Sequence, residues 1–415
     1  MSQQLAEINI QRLMGTIEES AEIGKLPNGG ICRLTLTDED KVMRDLFYQW
    51  LLDAGLEIRI DDFGNMYGRR EGERDELAPV LIGSHLDTQP NGGKFDGILG
   101  VLGALEVIRT LNDLELKTMR PIEIVNFTNE EGARFEPAML GSGAMTNVFP
   151  KQAVLNKTDQ QGKVFGSELR RIGYEGTEEN RAKDIFSFLE LHIEQGPILE
   201  DSHKAIGIVS GIQGMNWIEV TVKGETAHTG TRPMVNRKDA ILHAAKLITR
   251  IYSLAAEYPD LLISVGRINA YPNVINSVSS EAKFSIDIRH PNNKTRKRFT
   301  NQLRETLSMM TLVENMEIQI TDIADVETEH FTDSIIEVIQ TAVKKYGYSY
   351  LNMQSGAAHD AKYLNKVAPT GMIFIPSING VSHCEEELSE AVDIERGVQV
   401  LLHSVITLAN KENLI

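Results

Sequence analysis

Residues 81–100 read LIGSHLDTQPNGGKFDGILG. An apolar run ends at His85, a glycine-rich turn follows, and from Ile98 the apolar spacing becomes that of a helix. Strand, turn and helix in that order build an α/β sheet, and such sheets keep their chemistry at strand ends. His85 and Asp87 are two apart, so on a strand they share a face. Asp96 follows across a turn containing Pro90, Asn91, Gly92 and Gly93, and the two glycines are expected to fold the chain tightly enough to bring Asp96 back over His85. A glycine-rich junction of this kind also fits a phosphate loop, but acids stand here where such a loop needs a lysine.

Working outward, Ala78–Ile82 is uninterrupted and apolar, the pattern of a strand buried on both faces. The segment from Ile98 to Leu111 is predicted helical, and Ile122–Asn126 is a second buried strand that ends in FTNEEG. A strand, a helix and a parallel strand form a right-handed crossover, which brings Glu130 and Glu131 to the same sheet edge as His85. Farther on, Phe186–Leu191 leads into HIEQGPILE, and another apolar run spans Ala205 to Gly214. Toward the N-terminus, Leu5, Ile8, Ile10, Leu13, Met14 and Ile17 form a helical stripe, while Thr37 opens TDED as the cap of a second helix. Leu56–Ile60 and Asn65–Arg69 are the expected arms of a hairpin.

At about residue 212 the texture changes. Asn216–Val222 alternates like a half-exposed strand, Arg237–Tyr258 has the spacing of a long amphipathic helix, and Leu262–Val265 and Ala282–Ile288 are strands. A helix over Lys294–Met310 and a strand over Met316–Ile323 complete a self-sufficient two-layer α+β unit. The expected division is 1–212, an inserted domain over 213–328, and a return to the first domain over 329–415. That return carries a helix at 331–346, a strand at Gly371–Ile375 and a final helix bearing Leu388, Val392, Val398, Leu401, Val405 and Leu408.

Of the 415 residues, 42 are Lys or Arg and 59 are Asp or Glu, a formal charge of -17. So acidic a chain argues against nucleic acid as a partner but permits a small anionic substrate held by a local arginine. Cys32 and Cys384 are too few for a disulfide framework, the N-terminus lacks the apolar core of a signal peptide, and no stretch reaches membrane-span length. The expectation is a cytoplasmic protein with no membrane association.

The polar residues at the strand ends suit one chemistry. Imidazole nitrogens from His85, His192 and His383, with carboxylates from Asp96 and Glu131, can hold divalent ions, and a carboxylate with two oxygens can bridge a pair. Taken singly, a histidine or a pair of adjacent glutamates is more often a satisfied surface position. The spacing also matches no short closed motif such as HExxH.

Six blocks in register say more: GSHLDTQPNGGKFDG, FTNEEGARF, LHIEQGPILE, GETAHTGTRPM, SIDIRH and GAAHDA. Together they resemble the N-carbamoyl-L-amino-acid hydrolases, a group that includes beta-ureidopropionases of the yeast type and allantoate amidohydrolases within the aminoacylase and co-catalytic metallopeptidase superfamily. The resemblance runs from about residue 80 to 385. It implies an α/β, metallopeptidase-like catalytic domain with a mixed central sheet, and an inserted α+β domain acting as lid and dimerisation module. Two divalent ions per subunit follow, of zinc, manganese, cobalt or nickel.

Carried residue by residue, the resemblance makes His85, Asp96, Glu131, His192 and His383 metal ligands, with Asp96 bridging. Glu130 becomes the general acid/base, and Asp87 supports a histidine ligand and the base without coordinating. Gln195 would face the carbamoyl end of the substrate, while Asn276 and Arg289 would hold its carboxylate. His228 would reach across a homodimer to stabilise the oxyanion, and Arg232 and His359 would line the pocket. The implied reaction converts an N-carbamoyl amino acid and water to the free amino acid, carbon dioxide and ammonia. Allantoate hydrolysis is the nearest alternative, since the QPNGGKFDG form of the first block fits the carbamoyl-amino-acid branch better. An aminoacylase or dipeptidase would keep the metals and change the bond, and a binding protein on the same fold would require loss of Glu130 or a ligand.

Overall fold

The computed structural model describes residues 6–313 and 316–414, so Leu5 of the N-terminal stripe lies outside the described residues. The chain divides into two compact units, one interrupted after Gly211 and resumed at Phe331, the other spanning Ile212–His330.

The first unit is built on a mixed sheet. Its strands lie in the order Glu57–Ile60, Met66–Arg70, Ile122–Phe127, Val80–His85, Ser187–Ile193, Thr370–Ile375 and Ile206–Ile212. The central four run parallel, and antiparallel strands flank them. Val80–His85, Ile122–Phe127, Ser187–Ile193 and Thr370–Ile375 are buried at every residue, which explains their predominantly apolar sequences. Helix Ile98–Asp113 packs on the first three of these and against helix Ala391–Ala409. Its apolar residues are buried almost all round, as a helix between a sheet and another helix requires.

Local sequence sets the element ends. Thr37 caps helix Asp38–Asp53 by accepting the Asp40 N–H on its side chain, and the Glu57–Ile60 and Met66–Arg70 strands pair antiparallel, both as expected. Strand Tyr350–Ser355, paired beside Ile206–Ile212, was not foreseen, because YLNMQS has neither a clean alternation nor an apolar run.

In the second unit the antiparallel order is Glu317–Val326, Gly214–Lys223, Glu281–His290 and Leu262–Tyr271. Ala282, Phe284, Ile286 and Ile288 alternate inward and pack with Leu247, Ile251, Phe299, Leu303 and Leu307 from helices Ala240–Ala255 and Asn293–Val313. The first of these helices starts three residues later than the sequence predicts. Asp239 accepts the Leu242 N–H and caps it there, while Met234–Asn236 forms a separate 3-10 turn. Leu262–Val265, expected as a short strand, runs on to Tyr271. Gly266, Arg267 and Asn269 interrupt its apolar pattern because it is an edge strand with one face open. No helix among the described residues is long and apolar enough to cross a membrane.

Candidate metal centre

Parallel pairing aligns His85 with Phe127, so the chain leaving the second strand delivers Glu130 and Glu131 beside His85. His192 lies near the end of the next parallel strand over. His85 Nδ1 meets the Asp87 carbonyl at 2.9 Å, and His192 Nδ1 meets the Ile193 carbonyl at 2.9 Å. A carbonyl only accepts, so each ring carries a proton on Nδ1, which turns Nε2 inward toward Asp96.

Asp96 stands between two groups of donors. Its Oδ1 lies 3.1 Å from His192 Nε2 and 3.7 Å from His85 Nε2, while Oδ2 lies 3.2 Å from His383 Nε2. Glu131 joins the second group, 3.6 Å from His383. The donor atoms of His85, Asp96 and His192 all lie within 4.8 Å of one another, and so do those of Asp96, Glu131 and His383. Glu130 sits beside the first group, with Oε2 3.5 Å from His85 Nε2.

Electrostatics point to cations at this place. Burial raises Glu130 and Glu131 well above the usual carboxylate range, and neighbouring acids push further: Asp360 and Glu131 on Glu130, Asp96 and Asp87 on Glu131. Burial lowers His85 to about 4, which keeps it neutral. Burial also pulls on His192, but its hydrogen bond to Asp96 and that carboxylate's charge outweigh it and raise it to about 9. Asp96 would rise on burial as well, yet the hydrogen bonds to His192 and His383 hold it well below the usual range. Among the described residues, the ion-pair partners of Asp96, Glu130 and Glu131 are all histidines. Imidazole lone pairs and buried carboxylates around one two-oxygen bridge fit a pair of divalent ions by donor chemistry.

The turn is made differently from the expectation. Gly92 and Gly93 do not adopt positive φ; the left-handed residue is Gly97, at φ 67°, and a Cβ there would stand 2.3 Å from the His85 ring. Gly93 is needed for room, because a Cβ would run into Glu387. Asn129, Gln195 and His383 are also left-handed, so strained backbone clusters around the donors.

Asp87 supports the site through two different groups. Its carbonyl orients His85, and its buried carboxylate accepts the N–H groups of Glu130 and Glu131 at 3.2 and 3.3 Å. Gln195, expected to face substrate, places Nε2 2.8 Å from Asp96 Oδ2 and 3.3 Å from His383 Nε2. His359, expected in the pocket wall, is buried: it meets Ser355 Oγ at 2.9 Å and packs edge-on against His192, with ring centroids 4.5 Å apart.

Three buried acids were missed. Glu387 accepts the N–H groups of Phe95 and Asp96 at 3.0 and 3.1 Å and the Ser382 hydroxyl at 2.8 Å, tying together the turns that carry Asp96 and His383. Glu190 holds Ser84 Oγ at 2.7 Å and the Ala361 N–H at 3.0 Å, and Asp360 takes the Ser142 hydroxyl. Glu190 had a signal, a lone acid in an apolar strand two residues before His192. Glu387 had none, because it ends a run of three glutamates that looks like a solvated face.

His228, Arg232, Asn276 and Arg289 belong to the second unit. Pairing of Ser277 with His228 brings Asn276 beside the histidine, and the Asn276 carbonyl accepts the Thr229 N–H at 3.1 Å. His228 Nδ1 accepts the Gly230 N–H at 3.1 Å, so the exposed ring carries its proton on Nε2. Arg232 is exposed and donates to the Asn236 carbonyl at 3.0 Å. Arg289 lies on strand Glu281–His290 and is paired with Asp287.

The sequence matches Peptidase family M20/M25/M40 over residues 81–407. It is 41% identical to the N-carbamoyl-L-amino-acid amidohydrolase of Rhizobium meliloti over 97% of both chains. It is 34% identical to the allantoate amidohydrolase of Bacillus subtilis, covering 95% of this chain and 96% of that one. The fold is similar to the crystal structure of an amidase of the hydantoinase/carbamoylase family from Burkholderia multivorans, with TM-score 0.93, 40% identity and coverage of 98% and 99%.

Proposed function

The chain belongs to the hydantoinase/carbamoylase branch of peptidase family M20/M25/M40, and from that premise we propose that it hydrolyses the ureido C–N bond of N-carbamoyl-L-amino acids. The observation that carries the mechanism is Asp96, whose two oxygens serve two separate donor groups. His85 and His192 would hold one divalent ion with Asp96, and Glu131 and His383 the other. Zinc, manganese, cobalt and nickel all suit these ligands.

Two nitrogens donate into a ureido carbonyl, which makes it a poor electrophile. Divalent ions at the two groups supply Lewis acidity toward that carbonyl and toward water. Glu130 takes a proton from the attacking water and returns it to the departing nitrogen, a task that suits a carboxylate held above its usual pKa. Asp87 keeps the base in place by gripping the Glu130 and Glu131 backbone. One water per substrate then balances the release of amino acid, carbon dioxide and ammonia. Gln195 would turn toward the carbamoyl group, and Asn276 and Arg289 would take the substrate carboxylate, for which a planar guanidinium is shaped.

The working unit is a homodimer joined through the inserted domain. Leu262, Ile268 and Tyr271 are exposed on the outer edge strand, with Tyr252 exposed on the helix packed beside it. An edge strand with exposed apolar side chains can pair with a second copy. His228, with its proton on Nε2, would donate to the oxyanion in the second copy's site.

Ammonia release from N-carbamoyl-L-methionine, N-carbamoyl-β-alanine and allantoate, set beside dipeptide cleavage, tests the assignment. The expected order puts the N-carbamoyl-L-amino acid first. A kcat/KM highest on allantoate would move the chain to the reading its Bacillus subtilis relative's name suggests, and cleavage of dipeptides alone would overturn the ureido assignment.

A further inference from the structure

The outer face of the second unit's sheet changes character along its length. At one end cross-strand neighbours are charged, with Lys223 opposite Glu281 and Glu317. At the other end Arg289 lies between Met215 and Leu262, and Asp287 lies between Trp217 and Ser264. Ile286 and Ile288 point into the core, so Asp287 and Arg289 point out with those neighbours.

In this mostly apolar setting one ion pair is drawn tight. Arg289 Nε donates to both Asp287 oxygens at 3.2 Å, and Nη2 donates to Oδ2 at 3.0 Å. The residues are two apart on one strand, so the clamp is internal to the element that carries the arginine. We propose that Asp287 is a positioning residue for substrate recognition: by fixing the rotamer and plane of the Arg289 guanidinium, it sets the direction in which the fork meets the substrate carboxylate. The inference rests on the assignment of Arg289 to that carboxylate.

Three consequences of the pair can be told apart. A pair that only stabilises the sheet would affect folding and leave substrate affinity alone. One that competes with the substrate for the guanidinium would weaken binding, and its removal would lower KM. A pair that preorganises the fork strengthens binding, and its removal would raise KM with little change in kcat, because the carboxylate is gripped alike in ground and transition states.

The test is steady-state kinetics of the full-length, metal-loaded protein on N-carbamoyl-L-methionine, with thermal melting in parallel. Asp287→Ala is expected to raise KM about tenfold with kcat changed less than threefold, and Asp287→Asn, which keeps one acceptor oxygen, to lie between it and the parent. Unchanged KM in both variants, or a fall in KM, overturns the proposal. Arg289→Ala separates this from the assignment beneath it. A raised KM there with no effect of either Asp287 variant removes only the clamp, whereas an unchanged KM in Arg289→Ala removes both.

Discussion

At the scale of single residues, the site depends on how one acid is shared and how another is kept from being shared. Asp96 offers one oxygen to each donor group, while Glu130 stands 3.5 Å from His85 with its carboxyl pushed up by burial and by neighbouring acids. Removing its charge while keeping its shape should leave the donors intact and stop proton transfer. Glu130→Gln is therefore expected to lower kcat about a thousandfold while metal content, read by plasma mass spectrometry, stays at the parent value. A variant that retains near-parent turnover would show that another group moves the proton. The candidate donors were legible because His85, Glu131 and His192 follow apolar runs, and family blocks could be laid over these and over Asp96. Glu387 and Asp360 were not, because their roles depend on contacts with Phe95, Asp96 and Ser142, far away along the chain.

At the scale of elements, the junction between strand Val80–His85 and helix Ile98–Asp113 shows what a sequence can and cannot say. The period change marked both elements and the turn between them. Which glycine does the turning was not readable, since Gly92, Gly93 and Gly97 look alike until the His85 ring is placed. It is Gly97 that takes the left-handed conformation, and its missing side chain leaves the space the ring fills. Gly97→Ala is expected to force the ring or the backbone aside and weaken metal binding about tenfold or more, measured by competition with a chelating dye. Parent affinity in that variant would mean the ring adapts at no cost. Edge strands were the other blind spot: Leu262–Tyr271 outran its apolar signal because half of it faces outward.

At the scale of the whole molecule, the proposed roles fall in both units. The first gathers both donor groups and Glu130, and the second carries His228, Asn276 and Arg289, the residues proposed to meet the substrate. Association through the Leu262–Tyr271 edge has a direct check. Placing a charge on it with Ile268→Lys is expected to shift sedimentation from dimer to monomer and to reduce turnover, and a dimer unaffected by that change would place the interface elsewhere. The central claim, a dinuclear ureido hydrolase, is tested most directly by following ammonia release from N-carbamoyl-L-methionine as metal-stripped protein is titrated with manganese. Activity is expected to climb until two equivalents per chain are bound and then to level off. No ammonia at any loading, with dipeptides cleaved by the same preparation, would contradict it.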